Sequence, residues 1–438
     1  MRRSWVAGAA VAVLAAAAGT ATLLQPAGEP SAVTPAPTTS PEAVRTPLLA
    51  EQPSVAPPEA LKRSLASFVR DPALGRLGLS ILDAETSEPL LELNAGKAAT
   101  PASTAKIVTA LAALSVLSPT DVLTTRLVQG AAGDLVLVGG GDPTLIGAHP
   151  VRDGLGGGTL AALARQVTGP VTRIVVDDSL FTGPRLGPQW KPGYVTGGDV
   201  APVGALMVDG GRLSKDGPRS QDPALEAGRQ LAGLLHVKRV VRGTAPAGAA
   251  EVAHVDSAPV ARLVEAMLTR SDNDLAEALG RQVALAAKLP ASYAGEAAAV
   301  QAAIDPLLRH TGLTPSALRL YDASGLSPGD QIQPAALSRL LATAAQDPRF
   351  GALLDGLPVA GFDGTLAKRY RTSPAAGEVR AKTGTLNGVS ALAGLVHTHD
   401  GAVLAFAFTA NGIPLSGTQQ AQAALDRLAA ALAGCGCR

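Results

Sequence analysis

Ser103 and Lys106 stand three residues apart in TPASTAKIVTALAALSVL (Thr100 to Leu117), where a polar opening runs straight into a long apolar stretch. Residues i and i+3 of a helix share a face, so this spacing sets a hydroxyl beside an amine. In the first turn the amine meets the positive end of the helix dipole, which disfavours a cation. Apolar Ile107, Val108 and Leu111 add a desolvation penalty. Both effects lower the lysine pKa and fit the amine to take a proton from the serine, which can then attack a carbonyl carbon. Alone, the pattern is better explained as a capped helix with a surface lysine, since S-x-x-K arises by chance in roughly one of two such chains.

Two further patterns change that weighing. Ser271-Asp272-Asn273 lies between two helical stretches, where side chains can reach a cleft. Lys382-Thr383-Gly384 lies on a run with the texture of a strand. Each taken singly has a plain structural explanation, an N-cap loop or a solvated strand. The three in this order are expected by chance in roughly one chain in a thousand.

The elements that must position them follow from periodicity. The helix bearing Lys106 is expected to run through Leu117. Before it, LGLSILDAETSEPLLELNAG has two apolar runs around a polar turn, a β-hairpin. Val260, Leu263, Val264, Met267 and Leu268 form an i, i+3, i+4, i+7, i+8 stripe, and a second helix, NDLAEALGRQVALAAK, starts after a break. GEVRAKTGTLNGVSALAGLVHTHDGAVLAFAFTANG reads as three antiparallel strands turning at Asn387-Gly388 and His399-Asp400-Gly401, covered by a closing helix. Between Asp121 and His254 the chain is rich in Gly and Pro with short strand-like runs, the texture of an inserted domain.

With these elements, the triple resembles the penicillin-recognising serine acyltransferases. PASTAKIVTALAAL, LVLVGGGDPTL, VDDSLF, the stretch from Trp190 to Gly210, SDNDLAEAL and YDASGLS are similar to the class C low-molecular-mass penicillin-binding proteins, serine peptidases of the DacB type. The likeness runs from about Gly78 to Gly412. It implies an α/β (α+β) fold: a β-lactamase-like transpeptidase domain, with an antiparallel sheet flanked by helices and a helical subdomain, carrying an inserted α/β domain. The expected organisation is 1–25 export signal or membrane anchor, 26–58 Pro/Ser/Thr-rich disordered tether, 59–120 with 256–434 catalytic domain, and 121–255 insertion.

The implied activity is that of a D-alanyl-D-alanine carboxypeptidase, with endopeptidase activity in many members, acting on peptidoglycan stem peptides ending in D-Ala-D-Ala and acylated by β-lactams. Ser103 would be the nucleophile, Lys106 its base, and Ser271 a proton relay between Lys106, Lys382 and the departing amine. Asn273 would donate its amide to the acyl chain. Lys382, Thr383 and Thr385 would hold the terminal carboxylate, and Gly384 would clear room for the substrate backbone. The N–H groups of Ser103 and Thr385 would form the oxyanion hole. No cofactor and no metal are implied. Ala323 stands in YDASGLS where the family often has glycine, and Asp322 and Ser324 are better explained as a turn tying strand to helix.

Composition narrows the rest. A net charge of +1 and 3% aromatics give no reason to expect nucleic acid. Two arginines precede an uncharged run from Trp5 to Leu24, which reads as an export signal or a retained anchor, so the protein is expected outside the cytoplasm and at a membrane only through that segment. The two cysteines, Cys435 and Cys437, are expected as thiols of a frayed tail. Gly325-Leu326-Ser327-Pro328-Gly329 matches the G-x-S-x-G elbow, but Pro328 lacks the N–H that an oxyanion needs there. Asp177 and Asp178 read as a strand end rather than a metal site. Two alternatives share the three motifs: a serine β-lactamase and a non-catalytic wall sensor.

Overall fold

The computed structural model describes residues 57–131, 133–151 and 154–435. The expected export segment, nearly all of the tether and Cys437 lie outside them. In chain order, α1 (Pro58–Leu65) precedes the hairpin β1 (Arg76–Asp83) and β2 (Pro89–Leu93), and a 3-10 turn, Ala102–Thr104, opens α2 (Ala105–Val116). Strands β3 (Thr124–Gln129) and β4 (Asp134–Val138), α3 (Leu160–Arg165), β5 (Arg173–Asp177), α4 (Gly193–Thr196), α5 (Pro223–Leu234), β6 (Val240–Arg242) and β7 (Glu251–Asp256) follow. Then come α6 (Val260–Arg270), α7 (Asn273–Ala286), α8 (Tyr293–His310), the small ladder β8 (Leu318–Arg319) and β9 (Gln331–Ile332), α9 (Pro334–Gln346) and α10 (Gly351–Gly356). Strands β10 (Val379–Leu386), β11 (Val389–His397) and β12 (Val403–Asn411) and helix α11 (Thr418–Ala433) end the described chain.

The main sheet has the order β10-β11-β12-β1-β2 and is antiparallel throughout. Strand alternation divides its two faces by size. Leu404, Phe406, Phe408 and Ala410 of β12, with Leu79 and Ile81 of β1, join Leu425, Leu428 and Leu432 of α11 and Leu61 and Leu65 of α1. On the other face Ala393, Ala405 and Ala407 meet Leu337, Leu340 and Leu341 of α9 and the apolar residues of α2. Small residues on that face let the helices come close. The stripe Val260, Leu263, Val264, Met267 and Leu268 is wholly buried in the same core. Residues 105 to 114 are buried on every side, so α2 is a central helix and not an amphipathic one.

A second sheet, β6-β5-β4-β3-β7, is made only of residues between α2 and α6. Strands β4, β5 and β6 are parallel, and β3 is antiparallel to β4 and β7. Leu135, Leu137, Ile174 and Val176 pack there against Leu160 and Leu163 of α3 and Ala227 and Leu231 of α5. Asp177 accepts the N–H groups of Ser179 and Ala245, and Asp178 pairs with Arg185 and Arg242, so both close a strand end.

Two expectations are corrected. Pro58 already belongs to α1, so the fold starts at the last residue assigned to the tether. Cys435 is buried against the α11 core and is not a free thiol, which overturns the frayed-tail reading for that residue.

Candidate active site

Three segments remote in sequence meet at the N-terminal end of α2. Ser103 sits in the 3-10 turn, half-buried, with Ala102 before it in the left-handed region at φ 49°. Lys106 is fully buried in the first turn of α2, so it is not a snorkelling surface lysine. Its Nζ lies 3.0 Å from Ser103 Oγ, 2.6 Å from Asn273 Oδ1 and 2.6 Å from the Ser324 carbonyl oxygen. Burial pulls its pKa down to about 8, against the opposing charges of Asp322, Glu277, Asp272 and Asp274.

Those partners orient the amine. A neutral amine has two N–H donors and one lone pair. The Asn273 and Ser324 oxygens are acceptors without a proton, so they take the two donors. The lone pair is left for the Ser103 hydroxyl, which donates to it. The amide of Asn273 is itself held the right way round, because its Nδ2 donates to the Asp199 carbonyl at 2.9 Å.

Ser271 ends α6 in the left-handed conformation, φ 53°, and Asp272 caps α7 by accepting from the Leu275 N–H. This sharp joint turns Ser271 towards the sheet, where its Oγ accepts from Lys382 Nζ at 2.8 Å. Lys382 is fully buried and also donates to the Thr383 carbonyl at 2.9 Å. Burial, with Lys106 and Arg369 nearby, holds its pKa well below the usual lysine value. In this arrangement the Lys382 amine is engaged by Ser271 and by the Thr383 carbonyl. The hydroxyls nearest the solvent are those of half-buried Thr383, engaged with Thr365, and exposed Thr385.

Gly384 is explained by a different neighbour from the one expected. A Cβ there would stand 2.6 Å from the Pro101 oxygen and 3.2 Å from the Ala102 Cβ. What approaches this strand closely is the turn carrying Ser103. β10 is also the edge of the main sheet, so a further strand could pair beyond it.

The family model for the D-Ala-D-Ala carboxypeptidase 3 (S13) family matches residues 61–218 and 214–432. The chain belongs to that family. It is 37% identical over 424 residues to Carboxypeptidase Rv3627c of Mycobacterium tuberculosis, covering 92% of this chain and 90% of the relative. It is 38% identical over 449 residues to Carboxypeptidase DacB of Mycolicibacterium smegmatis, covering 98% and 95%. In fold it is similar to penicillin binding protein 4 of Haemophilus influenzae, with TM-score 0.67, 22% identity, and 81% and 93% of the two chains covered. These findings favour neither the β-lactamase nor the sensor.

For this S13 chain, several site residues were out of reach of sequence reasoning. Asp322 does form the expected turn: it accepts the N–H groups of Gly325 and Ser327 and the indole N–H of Trp190, each at 2.7 Å. Its neighbour Ser324 goes further and presents a carbonyl to Lys106. Thr365 accepts from the Thr383 hydroxyl at 2.9 Å, and Gln422 Nε2 donates to Thr385 Oγ1 at 2.9 Å. Only YDASGLS carried a signal, through its place in the resemblance. Thr365 and Gln422 are ordinary polar residues in the sequence.

Proposed function

We infer that the chain is a serine-type D-alanyl-D-alanine carboxypeptidase acting on peptidoglycan stem peptides through an acyl-serine, and that β-lactams acylate the same serine. The observation that carries this is the 3.0 Å approach of the buried Lys106 amine to the half-buried Ser103 hydroxyl, with Ser271, Asn273 and β10 around them.

Ser103 Oγ bonds to the carbonyl carbon of the penultimate D-alanine while its proton passes to Lys106 Nζ. The Ser103 and Thr385 N–H groups receive the developing oxyanion, an interaction worth ~3 kcal/mol per donor. The C–N bond then breaks, and the terminal D-alanine leaves with a proton delivered through Ser271. Water adds to the acyl-serine, releasing the shortened peptide and returning a proton to Ser103. The peptide lies along β10 as an added strand. Its carboxylate meets the hydroxyl of Thr385, and that of Thr383 once it turns from Thr365, with the Lys382 amine behind Ser271. Asn273 holds Lys106 in place and keeps one amide N–H for the acyl chain. Work on the wall places the enzyme outside the cytoplasm, a reading supported by the uncharged run from Trp5 to Leu24.

The test is labelling of the purified protein with a fluorescent penicillin, beside Ser103→Ala and Lys106→Ala, followed by D-alanine release from a peptide ending in D-Ala-D-Ala. Label on the wild type alone, together with D-alanine release, is expected. Label persisting on Ser103→Ala refutes the nucleophile, and a labelled wild type that releases no D-alanine refutes the peptidase.

A further inference from the structure

Behind Lys106, on the side away from the cleft, lies a buried group of charges that the reaction above does not use. Glu277 of α7, Glu296 and Tyr293 of α8, Arg281 of α7, and Asp322 and Asp330 of the turn region are all buried. Arg281 pairs with Glu296 at 3.0 Å and lies over the Tyr293 ring. Burying several carboxyls beside one another is expensive unless they do something that apolar residues cannot.

Their connection to the site runs through two successive peptide groups. In the Ala323–Ser324 peptide, the carbonyl accepts from Thr109 Oγ1 at 2.6 Å and the N–H donates to Glu277 Oε1 at 2.9 Å. In the Ser324–Gly325 peptide, the N–H donates to Asp322 Oδ1 at 2.7 Å and the carbonyl accepts from Lys106 Nζ at 2.6 Å. Both planes are therefore fixed at both ends. The oxygen that meets the lysine cannot rotate away without breaking the Gly325 N–H bond to Asp322, and Glu277 holds the peptide just before it. Gly325 has φ 79°, and a Cβ there would stand 2.0 Å from the Ala102 oxygen, so the clamped turn also presses on the nucleophile's own turn.

We propose that Glu277 is a positioning residue for the general base: it clamps the Ser324 main chain that receives the Lys106 amine, and its carboxylate faces that amine from behind. This rests on the acyl-serine reading above and extends it. The Glu277 and Glu296 carboxyls act on each other: the charge of Glu277 disfavours that of Glu296. Burial, with Glu277 adding to it, pushes Glu296 well up, against the opposing charge of Arg281. Burial, with Asp322 adding to it, pushes Glu277 up to about 7, and the Glu277 charge favours the protonated form of Lys106. The other charges facing Lys106 are Asp322, Asp272 and Asp274 on the acidic side and Lys382 on the basic side.

The experiment is the pH profile of penicillin acylation in Glu277→Gln and Glu296→Gln. Glutamine at 277 keeps an oxygen for the Ser324 N–H and removes the negative charge. Lys106 then loses its proton more easily, and the acid limb moves down by about one pH unit. The charges acting most on Lys106 are those of Asp322, Glu277, Asp272 and Asp274, so Glu296→Gln moves the limb much less. An unmoved limb in folded Glu277→Gln, or an equal shift in Glu296→Gln, overturns the proposal. Should Glu277→Gln fail to fold, the coupling is read from the other side. In Lys106→Met labelled with carboxyl-¹³C glutamate, the Glu277 titration midpoint rises by a comparable amount, and an unchanged midpoint overturns the proposal. A wild type that penicillin does not acylate sinks the acyl-serine reading itself; an acylated wild type whose limb ignores Glu277 sinks only this inference.

Discussion

Gly384→Ala tests whether β10 and the nucleophile's turn must touch. The new Cβ would lie 2.6 Å from the Pro101 oxygen, 3.1 Å from the Ala391 Cβ and 3.2 Å from the Ala102 Cβ. An ordinary C···O contact is about 3.3 Å, so the strand and the turn must separate by about 0.7 Å. Overpacking of this kind costs ~1–3 kcal/mol of stability. The larger effect is on rate, because Lys382, Thr383 and Thr385 ride on the strand and Ser103 on the turn. A misplacement of about 1 Å can cost on the order of 100-fold, so acylation should slow by roughly 30- to 100-fold. Stopped-flow mixing with a fluorescent penicillin reads the rate, and thermal melting checks that the variant is folded. Gly96→Ala is the control, since a Cβ there meets nothing within 4 Å. A folded Gly384→Ala that acylates within threefold of the wild type refutes the close-approach account.

Acylation should follow the protonation of Lys106. Burial lowers its pKa to about 8, so the amine is mostly protonated below that pH and the rate falls about tenfold per unit there; a profile between pH 5.5 and 9.5 without a limb near 8 contradicts its role as base. Gln422 donates to Thr385 Oγ1 and leaves that hydroxyl's own proton free. Thr385→Val should therefore raise KM for a peptide with a free terminal carboxylate by roughly 10- to 100-fold, the loss of one hydrogen bond to a charge. An amide-capped peptide should be affected far less, and equal losses for the two peptides would rule out carboxylate recognition at Thr385.

The sequence was most informative where local pattern decides the outcome. Asn387-Gly388 and the alternation around it located the strands β10 and β11, and the stripe from Val260 to Leu268 located α6. The burial of Lys106 followed from Ile107, Val108 and Leu111, because a helix apolar on every side must lie inside the protein. Contacts imposed by tertiary packing left no such trace. Glu277 and Ser324 are 47 residues apart, and nothing in NDLAEAL marks its glutamate as facing inward to a main-chain N–H. The 3-10 turn at Ala102–Thr104 has no mark of its own in the sequence, since alanine gives no hint of a positive φ. Lys382 was recognised by motif, but its burial, and hence its aim at Ser271 instead of the open cleft, depends on what packs over β10.

The pairing of Ala102 with Gly384 follows from that same packing. The gap between the nucleophile's turn and β10 has room for one methyl group. The Ala102 Cβ occupies it, and a second Cβ on the strand would come within 3.2 Å. Glycine at 102 would relax the turn, because Ala102 sits at φ 49°, where a side chain costs ~1 kcal/mol, but a methyl on the strand would still stand 2.6 Å from the Pro101 oxygen. The chain takes the opposite arrangement. Alanine has fewer backbone states than glycine, so a turn held at this angle by alanine has less freedom to move Ser103 away from Lys106. Glycine on the strand keeps the edge of β10 low where the turn crosses it. Ser271 repeats the choice at φ 53°, holding its hydroxyl against Lys382 in a conformation that glycine would adopt more easily but could not use, having no hydroxyl. Strain at these two residues therefore fixes the turn of Ser103 and the hydroxyl of Ser271 before any ligand arrives, which is the arrangement expected of the proposed nucleophile and relay, whose donors must not reorganise during reaction.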